Sequence, residues 1–282
     1  MPQFKTVAII GVGLIGGSIG LAIRARHLAE RVIGIGQRQT SLDRAVSVGA
    51  IDEGTTDLAA GVREAELIVI CTPVELIVDL VLQTAAACPQ GAIITDAGST
   101  KARIVAEVEK LELPGEVRFV GSHPLAGSEK TGPEHAKANL LENRVVVVTP
   151  GAHSTEPAEQ RVCQFWESLG AKVVQMTPQR HDEAVAYTSH LTHLVASLLA
   201  AATPEEFLPV AASGWEDTTR VAAGDVQLWQ QIVDSNRSHI LKAVGNFERL
   251  LNSLRVALET GDDATLVKLL EEGKSRRDIV GS

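Results

Sequence analysis

An apolar run from Thr6 to Ile10 leads directly into Gly11-Val12-Gly13-Leu14-Ile15-Gly16, then Gly17-Ser18 and a helical pattern through about Ala25. This is G-x-G-x-x-G with a strand before it and a helix after it, the context that gives the motif its meaning. The first glycine makes a tight turn. The second lets the backbone approach a pyrophosphate, and the third lets helix and strand pack closely. Leu14 and Ile15 open a helix whose free N–H groups and dipole favour a diphosphate. The spacing predicts a dinucleotide-binding turn; the structural alternative is a glycine-rich packing turn.

Further short apolar runs follow at Val32–Ile35, Leu67–Cys71, Ala92–Thr95, Arg118–Gly121, Val145–Thr149 and Lys172–Val174, with helical patterns between most of them. Continuous rather than alternating apolar strands imply burial on both faces. Strands alternating with helices imply a doubly wound, mostly parallel α/β sheet, whose final strands could be antiparallel edge additions. After Met176 the β-branched runs stop. Thr177-Pro178 reads as an N-cap followed by proline at the first helical position. Helical periodicity then runs to the end, broken near Pro204–Pro209 and Ala222–Asp225. With 282 residues, the chain divides into an expected dinucleotide-binding unit at 1–178 and an all-helical unit at 179–282. Aromatics make up only 3% of the residues, so the core must be aliphatic.

The end of the second strand selects the cofactor. An acid about 20 residues beyond the fingerprint would hold the ribose hydroxyl of NAD. Here the segment is Gly36-Gln37-Arg38-Gln39-Thr40-Ser41, with no carboxylate before Asp43. Arg38 could bind a 2′-phosphate or stack on adenine, so NADP is expected in preference to NAD. The alternative is a solvated Arg38 and NAD bound without its usual acid.

Ligands of open α/β sheets bind beyond the carboxyl ends of the strands. Thr72-Pro73 follows one strand end, Asp96-Ala97-Gly98-Ser99-Thr100-Lys101 the next, and Ser122-His123-Pro124 the one after. His123 reads either as a general base or as a histidine capping its own loop. Ser99 reads as a helix cap that could also serve the site. Asp96 reads as a brace for its turn and Lys101 as exposed. In the helix beginning at Thr177, the apolar stripe Ala184, Tyr187, Leu191, Leu194 and Leu198 puts His190 and His193 on one flank of the buried face. Their His-x-x-His spacing lacks the Glu and third ligand of the helical zinc motif, so no metal is expected. Ser213–Arg220 reads as a surface turn with an Asp217–Arg220 pair, or as an arginine presented to a carboxylate. Trp229 is by default a packing residue.

The net charge is −9, which disfavours nucleic acid as a partner. The short basic run Lys274–Arg277 reads as a solvated helix end. The most apolar stretch, Leu194 to Ala202, falls short of a membrane span, and no secretory signal is visible. The three cysteines are widely spaced without Cys-x-x-Cys, which fits a reducing, cytoplasmic setting rather than a disulfide or metal framework.

Taken together, Gly11–Ser18, Thr95–Lys101 (Thr-Asp-Ala-Gly-Ser-Thr-Lys), Gly121–Glu129 (Gly-Ser-His-Pro-Leu-Ala-Gly-Ser-Glu), Ser189–His193 (Ser-His-Leu-Thr-His) and Asp217–Arg220 (Asp-Thr-Thr-Arg) resemble the prephenate/arogenate dehydrogenase family of tyrosine biosynthesis. The resemblance covers nearly the whole chain, in order. It implies an N-terminal Rossmann domain and a helical C-terminal domain that forms a homodimer. By motif position, His123 looks like the family's catalytic histidine and Ser99 like the serine that hydrogen-bonds it and the substrate hydroxyl. Arg220 looks like the arginine for a substrate carboxylate. His190, His193, Glu129 with its neighbour Ser128, and Trp229 match positions lining the substrate pocket. Gly36-Gln37-Arg38 resembles the NADP-using branch rather than members with an acid there. The chain ends at Ser282, where no fused mutase or regulatory domain is expected.

Two other readings stay open. One is another dehydrogenase of this two-domain plan, such as a β-hydroxyacid dehydrogenase or imine reductase. Their usual helical Gly-x-x-x-Lys has no counterpart at Lys172 or Lys242. The other is a non-catalytic NADP-binding sensor, which would need no His–Ser–Arg set.

Overall fold

The computed structural model describes residues 2–127, 130–152 and 154–281. Eight strands form one sheet: β1 (Phe4–Ile10), β2 (Ala29–Ile35), β3 (Glu53–Thr55), β4 (Leu67–Ile70), β5 (Ile93–Asp96), β6 (Arg118–Pro124), β7 (Val145–Thr149) and β8 (Lys172–Gln175). Between them lie α1 (Leu14–Ala25), α2 (Gln39–Ser47), α3 (Leu58–Val62), α4 (Ile77–Ala85), α5 (Ala102–Val108) and α6 (Glu156–Ser168). The order β3-β2-β1-β4-β5-β6-β7-β8 is the doubly wound arrangement with two added strands. β7 runs antiparallel to β6, and β8 parallel to β7. The short β3 escapes a sequence reading because Glu-Gly-Thr carries no apolar run.

The sheet is buried on both sides because successive residues point to opposite faces. Val7 and Ile9 of β1 pack with α1 and α6 residues such as Ile19, Ile23, Phe165 and Trp166. Ala8 and Ile10 pack on the other face with Val62, Ile77, Val81 and Ile104. Trp166 is fully buried, and its indole N–H donates to the Ser122 hydroxyl at 3.1 Å. This meets the need of a buried tryptophan for a polar partner.

Beyond β8 the described chain is helical: α7 (Pro178–Val185), a π-helical turn Ala186–His190, α8 (Leu191–Ala202), α9 (Ser213–Thr219), α10 (Val226–Ser235), α11 (Arg237–Thr260) and α12 (Asp263–Val280). The Thr177 side chain caps α7 by accepting from the Arg180 N–H at 3.2 Å. Gly261 closes α11 in the left-handed conformation, φ 65°.

The stripe predicted for the helix after Thr177 is not its buried face. Tyr187 and Leu198 are exposed, at 40% and 69%, while His181, Asp182, Val185, Ala186, His190, His193 and Ala196 are buried. The π turn is the reason. It takes up an extra residue per turn at Ala186–His190 and so breaks the 3.6-residue period that the stripe assumes. Residues Pro178–Ala202 form 25 helical residues that reach the length and hydropathy of a membrane span. Their buried side carries an aspartate and three histidines with protein partners, which marks a helix packed on protein.

Candidate active site

The glycine turn is built as its spacing requires. Gly11 has φ +93°, and a Cβ there would lie 2.6 Å from the Cys71 carbonyl oxygen. A Cβ on Gly16 would collide with the carbonyl oxygen of Gly11. At Gly13, by contrast, a Cβ would meet nothing within 4 Å. Two glycines are thus demanded by packing, and the middle one faces open space where a pyrophosphate can approach the backbone. Gly13 is the N-cap of α1 and no side chain caps it, so the leading N–H groups of Leu14 and Ile15 point into that space. Thr72 and Pro73, just after β4, border Gly11, with Thr72 Cγ2 3.2 Å from the same Cβ position. Gln37 and Arg38 are exposed at the end of β2, and Arg38 is the N-cap residue of α2. These residues fit a nicotinamide dinucleotide.

His123 lies inside β6, paired with Val147 of the antiparallel β7, rather than in the loop beyond the strand. Its ring is 9% exposed and lines a cavity of about 570 Å³ shared with Leu125, Thr188, Arg220, Val221 and Trp229. The following loop reaches the glycine turn, because a Cβ on Gly127 would stand 4.0 Å from Ile15 Cδ1. The imidazole and Arg220 therefore line one cavity, whose wall at Gly127 approaches Ile15 of the cofactor turn.

His123 Nδ1 lies 2.8 Å from His181 Nε2, and His181 Nδ1 lies 2.7 Å from Asp182 Oδ1. Asp182 accepts from the backbone N–H groups of Lys101 and Ala102 at 2.8 and 2.9 Å. It thereby caps α5. Burial pushes His123 well below the ordinary histidine value, helped by the nearby His181, Lys101 and His190. His181 is lowered by burial too, against the pull of Asp182. Burial works to raise Asp182, but its hydrogen bonds from His181, Lys101 and Ala102 outweigh this and hold it low. The set is thus two neutral imidazoles and one carboxylate.

Several expectations need correction. Lys101 is not exposed: it is fully buried and its ammonium pairs with Asp96. A lysine can be buried here because Asp96 sits beside it, and Asp96 also accepts from the N–H groups of Gly98 and Ser122. Ser99 does not cap the next helix, since Asp182 takes that role. Ser99 also does not bond His123, whose Nδ1 is engaged by His181 instead. The Ser99 hydroxyl is half-buried and makes no hydrogen bond among the described residues. Ser213–Thr219 is a helix rather than a surface turn, and Arg220 follows in a 3₁₀ turn that delivers it to the cavity.

His190 and His193 stand behind Trp229 rather than on the cavity wall. The His193 ring stacks on Trp229 at 3.6 Å between centroids, and His190 meets it edge-on at 6.1 Å. His190 Nδ1 lies 3.2 Å from Asn236 Nδ2, which also donates to the Asp182 carbonyl. Trp229 lines the cavity, with those histidines as backing. Ser128 and Glu129 lie outside the described residues.

Sequence reasoning missed His181, Asp182 and Asn236. The signal available was a His-Asp dipeptide four residues after an N-cap, on the first turns of a helix leaving the sheet.

Residues 19–175 match the family described as "Prephenate dehydrogenase, nucleotide-binding domain", and residues 177–272 match "Prephenate dehydrogenase, dimerization domain". A prephenate dehydrogenase of Bacillus subtilis is 34% identical over 99% of this chain and 77% of its own length. The crystal structure of prephenate dehydrogenase from A. aeolicus, in complex with hydroxyphenyl propionate and NAD+, superposes with a TM-score of 0.88 at 31% identity, covering 98% of both chains. Synechocystis arogenate dehydrogenase superposes with a TM-score of 0.82 at 29% identity, covering 98% of this chain and 100% of that one.

Proposed function

The chain belongs to the prephenate dehydrogenase family, and from that premise we propose that it oxidatively decarboxylates prephenate or arogenate to 4-hydroxyphenylpyruvate or tyrosine, in tyrosine biosynthesis, with NADP as the preferred hydride acceptor over NAD. The observation that carries this reading is the placement of His123, Arg220 and Trp229 around one cavity beside the glycine turn. Gly11, Gly13, Leu14, Ile15, Gly16, Thr72 and Pro73 hold the dinucleotide, and Gln37 and Arg38 meet its adenosine end. When bound, the nicotinamide accepts a hydride from the hydroxyl-bearing ring carbon.

The chain's own residues bind, orient and move one proton. His123 Nε2 takes the proton of the substrate hydroxyl: the O–H bond breaks and an N–H bond forms. The ring carboxylate leaves as CO2, and the electron pair of its C–C bond completes the aromatic ring, leaving a phenolate oxygen that takes the proton back from His123 Nε2. Aromatisation drives the step, so positioning and deprotonation are what the protein must supply. Arg220 holds a carboxylate of the dianionic substrate on a chain whose net charge is −9. Trp229 offers a flat face to the ring, stiffened by the stacked His193. The half-buried Ser99 hydroxyl serves the substrate hydroxyl from the end of β5.

NADP is favoured because Gly36-Gln37-Arg38 offers a cation and no carboxylate where a 2′-phosphate would lie. A homodimer through the C-terminal helices fits the apolar side chains left uncovered there. Leu198, Leu241, Leu258 and Leu270 are each 63–69% exposed, and α12 buries none of its residues. Such a surface is characteristic of association.

The experiment is to supply prephenate and arogenate, each with NADP and NAD, and follow the absorbance of the reduced cofactor. Turnover with at least one substrate is expected, with higher kcat/KM for NADP. No turnover with either substrate overturns the activity. A kcat/KM for NAD tenfold above that for NADP overturns the cofactor preference.

A further inference from the structure

We propose that His181 and Asp182 form a relay that fixes the proton on Nδ1 of His123, so that Nε2 meets the substrate as a bare lone pair. The proposal rests on the activity above and adds to it the groups that set the base's tautomer.

Donors and acceptors along the three side chains set the tautomer. An ionised carboxylate accepts hydrogen bonds and cannot donate. Asp182 is held by two backbone N–H groups at the start of α5, at 2.8 and 2.9 Å, which favour the anion. His181 Nδ1, 2.7 Å from its Oδ1, must therefore carry a hydrogen. A neutral His181 then has a lone pair on Nε2. His123 Nδ1, 2.8 Å away, must donate to that lone pair. The remaining nitrogen of His123, Nε2, carries no hydrogen and has no hydrogen-bond partner among the described residues. It is the atom left for the cavity that the ring lines.

Burial makes this chain rigid. His181 and Asp182 are fully buried, and the Asp182 carbonyl accepts from Asn236 Nδ2 at 2.7 Å. The rings of His123 and His181 cross at 67° with centroids 5.1 Å apart, so each nitrogen addresses the other without ring stacking. When Nε2 takes a proton, the charge on His123 is met by the Nδ1–H bond to His181 and, through it, by Asp182. Among the described residues, the charged and titratable groups around this chain are the buried Lys101–Asp96 pair on the β5 side, His190 on the helix side and Arg220 across the cavity. Lys101 opposes a cation on His123, which makes the acceptor at His181 the more necessary. With the wrong tautomer, a histidine presents N–H where a lone pair is needed, and catalysis falls by orders of magnitude although the geometry survives.

The test uses the full chain labelled with ¹⁵N-histidine, with His123 assigned by its loss in His123→Asn. In the native protein, Nδ1 of His123 should carry the proton and Nε2 should be the unprotonated nitrogen. His181→Leu should abolish that preference and lower kcat roughly 10²-fold, within the range a general base supplies. KM should stay within about twofold, and raising the pH should not restore the rate. His181→Gln, whose amide oxygen can accept from Nδ1, should keep the tautomer and recover most of kcat. A native His123 with its proton on Nε2 overturns the proposal whether or not His181→Leu folds. So does His181→Leu turning over at the native rate, or His181→Gln losing kcat as completely as Leu with the tautomer intact. An inactive native enzyme with Nδ1 of His123 protonated would sink the activity assignment and leave the relay standing.

Discussion

His123 Nδ1 lies 2.8 Å from His181 Nε2, with both rings buried where β6 meets α7, the first helix beyond the sheet. The contact crosses from β6 to α7, so the base's environment depends on how the helical region packs on the sheet. Burial keeps His123, His181 and His190 neutral, the last with its pKa lowered to about 4.

Acid should therefore destabilise the fold in a defined window. In the unfolded chain these histidines protonate near pH 6.5, whereas in the folded chain they do so only lower. Below 6.5 the unfolded state binds more protons, so stability falls as the pH drops, until the folded values are reached. Each group contributes up to about 1.4 kcal/mol per pH unit of that window. Urea midpoints at pH 7.5 and 5.5 check this: the lower pH should give the lower midpoint. An equal or higher midpoint at 5.5 would contradict the burial of neutral histidines.

The same shift governs the rate. An ordinary histidine base would be half lost at pH 6.5, but His123 stays unprotonated below that. The acid limb of kcat/KM assigned to His123 should lie below 6.5, and a limb at or above 6.5 would not fit this site.

Lys101→Met should cost about 3–5 kcal/mol, because it leaves Asp96 as an uncompensated buried charge. Denaturant unfolding measures it. Adding Asp96→Asn should recover part of the loss, since the carboxylate charge is then gone. A loss under about 1 kcal/mol, the range of surface ion pairs, would mean that the pair is not buried in solution.

Arg38→Ala should raise the KM for NADP about 10- to 100-fold, the worth of a charge-assisted bond at roughly 1.5–3 kcal/mol. The KM for NAD should hardly move. Equal effects on both cofactors would place Arg38 on adenine rather than on a 2′-phosphate.

Arg220→Ala should act chiefly on substrate KM, raising it about 10- to 100-fold by the same reasoning, with kcat changed less. An unchanged KM would remove Arg220 from substrate binding.

Much of this was legible in the chain itself. Seven of the eight strands, the glycine turn and the change to helix at Thr177 follow from apolar runs, spacing and capping chemistry. β3 was hidden because its three residues are paired by their neighbours rather than by their own pattern. The polar chain behind His123 was hidden for a different reason. Lys101 and Asp182 look like surface residues until the fold brings Asp96 to the one and the start of α5 to the other. The π turn at Ala186–His190 leaves no periodicity to read, and it rotated the expected helix face away from the buried one.

The central claim is that the imidazole of His123 is the proton acceptor. It is tested most directly by His123→Asn, measuring kcat together with NADP binding by fluorescence titration. The account predicts a kcat lowered roughly 10²- to 10⁴-fold with the NADP Kd within about twofold of native. Turnover at the native rate with cofactor binding intact would contradict it.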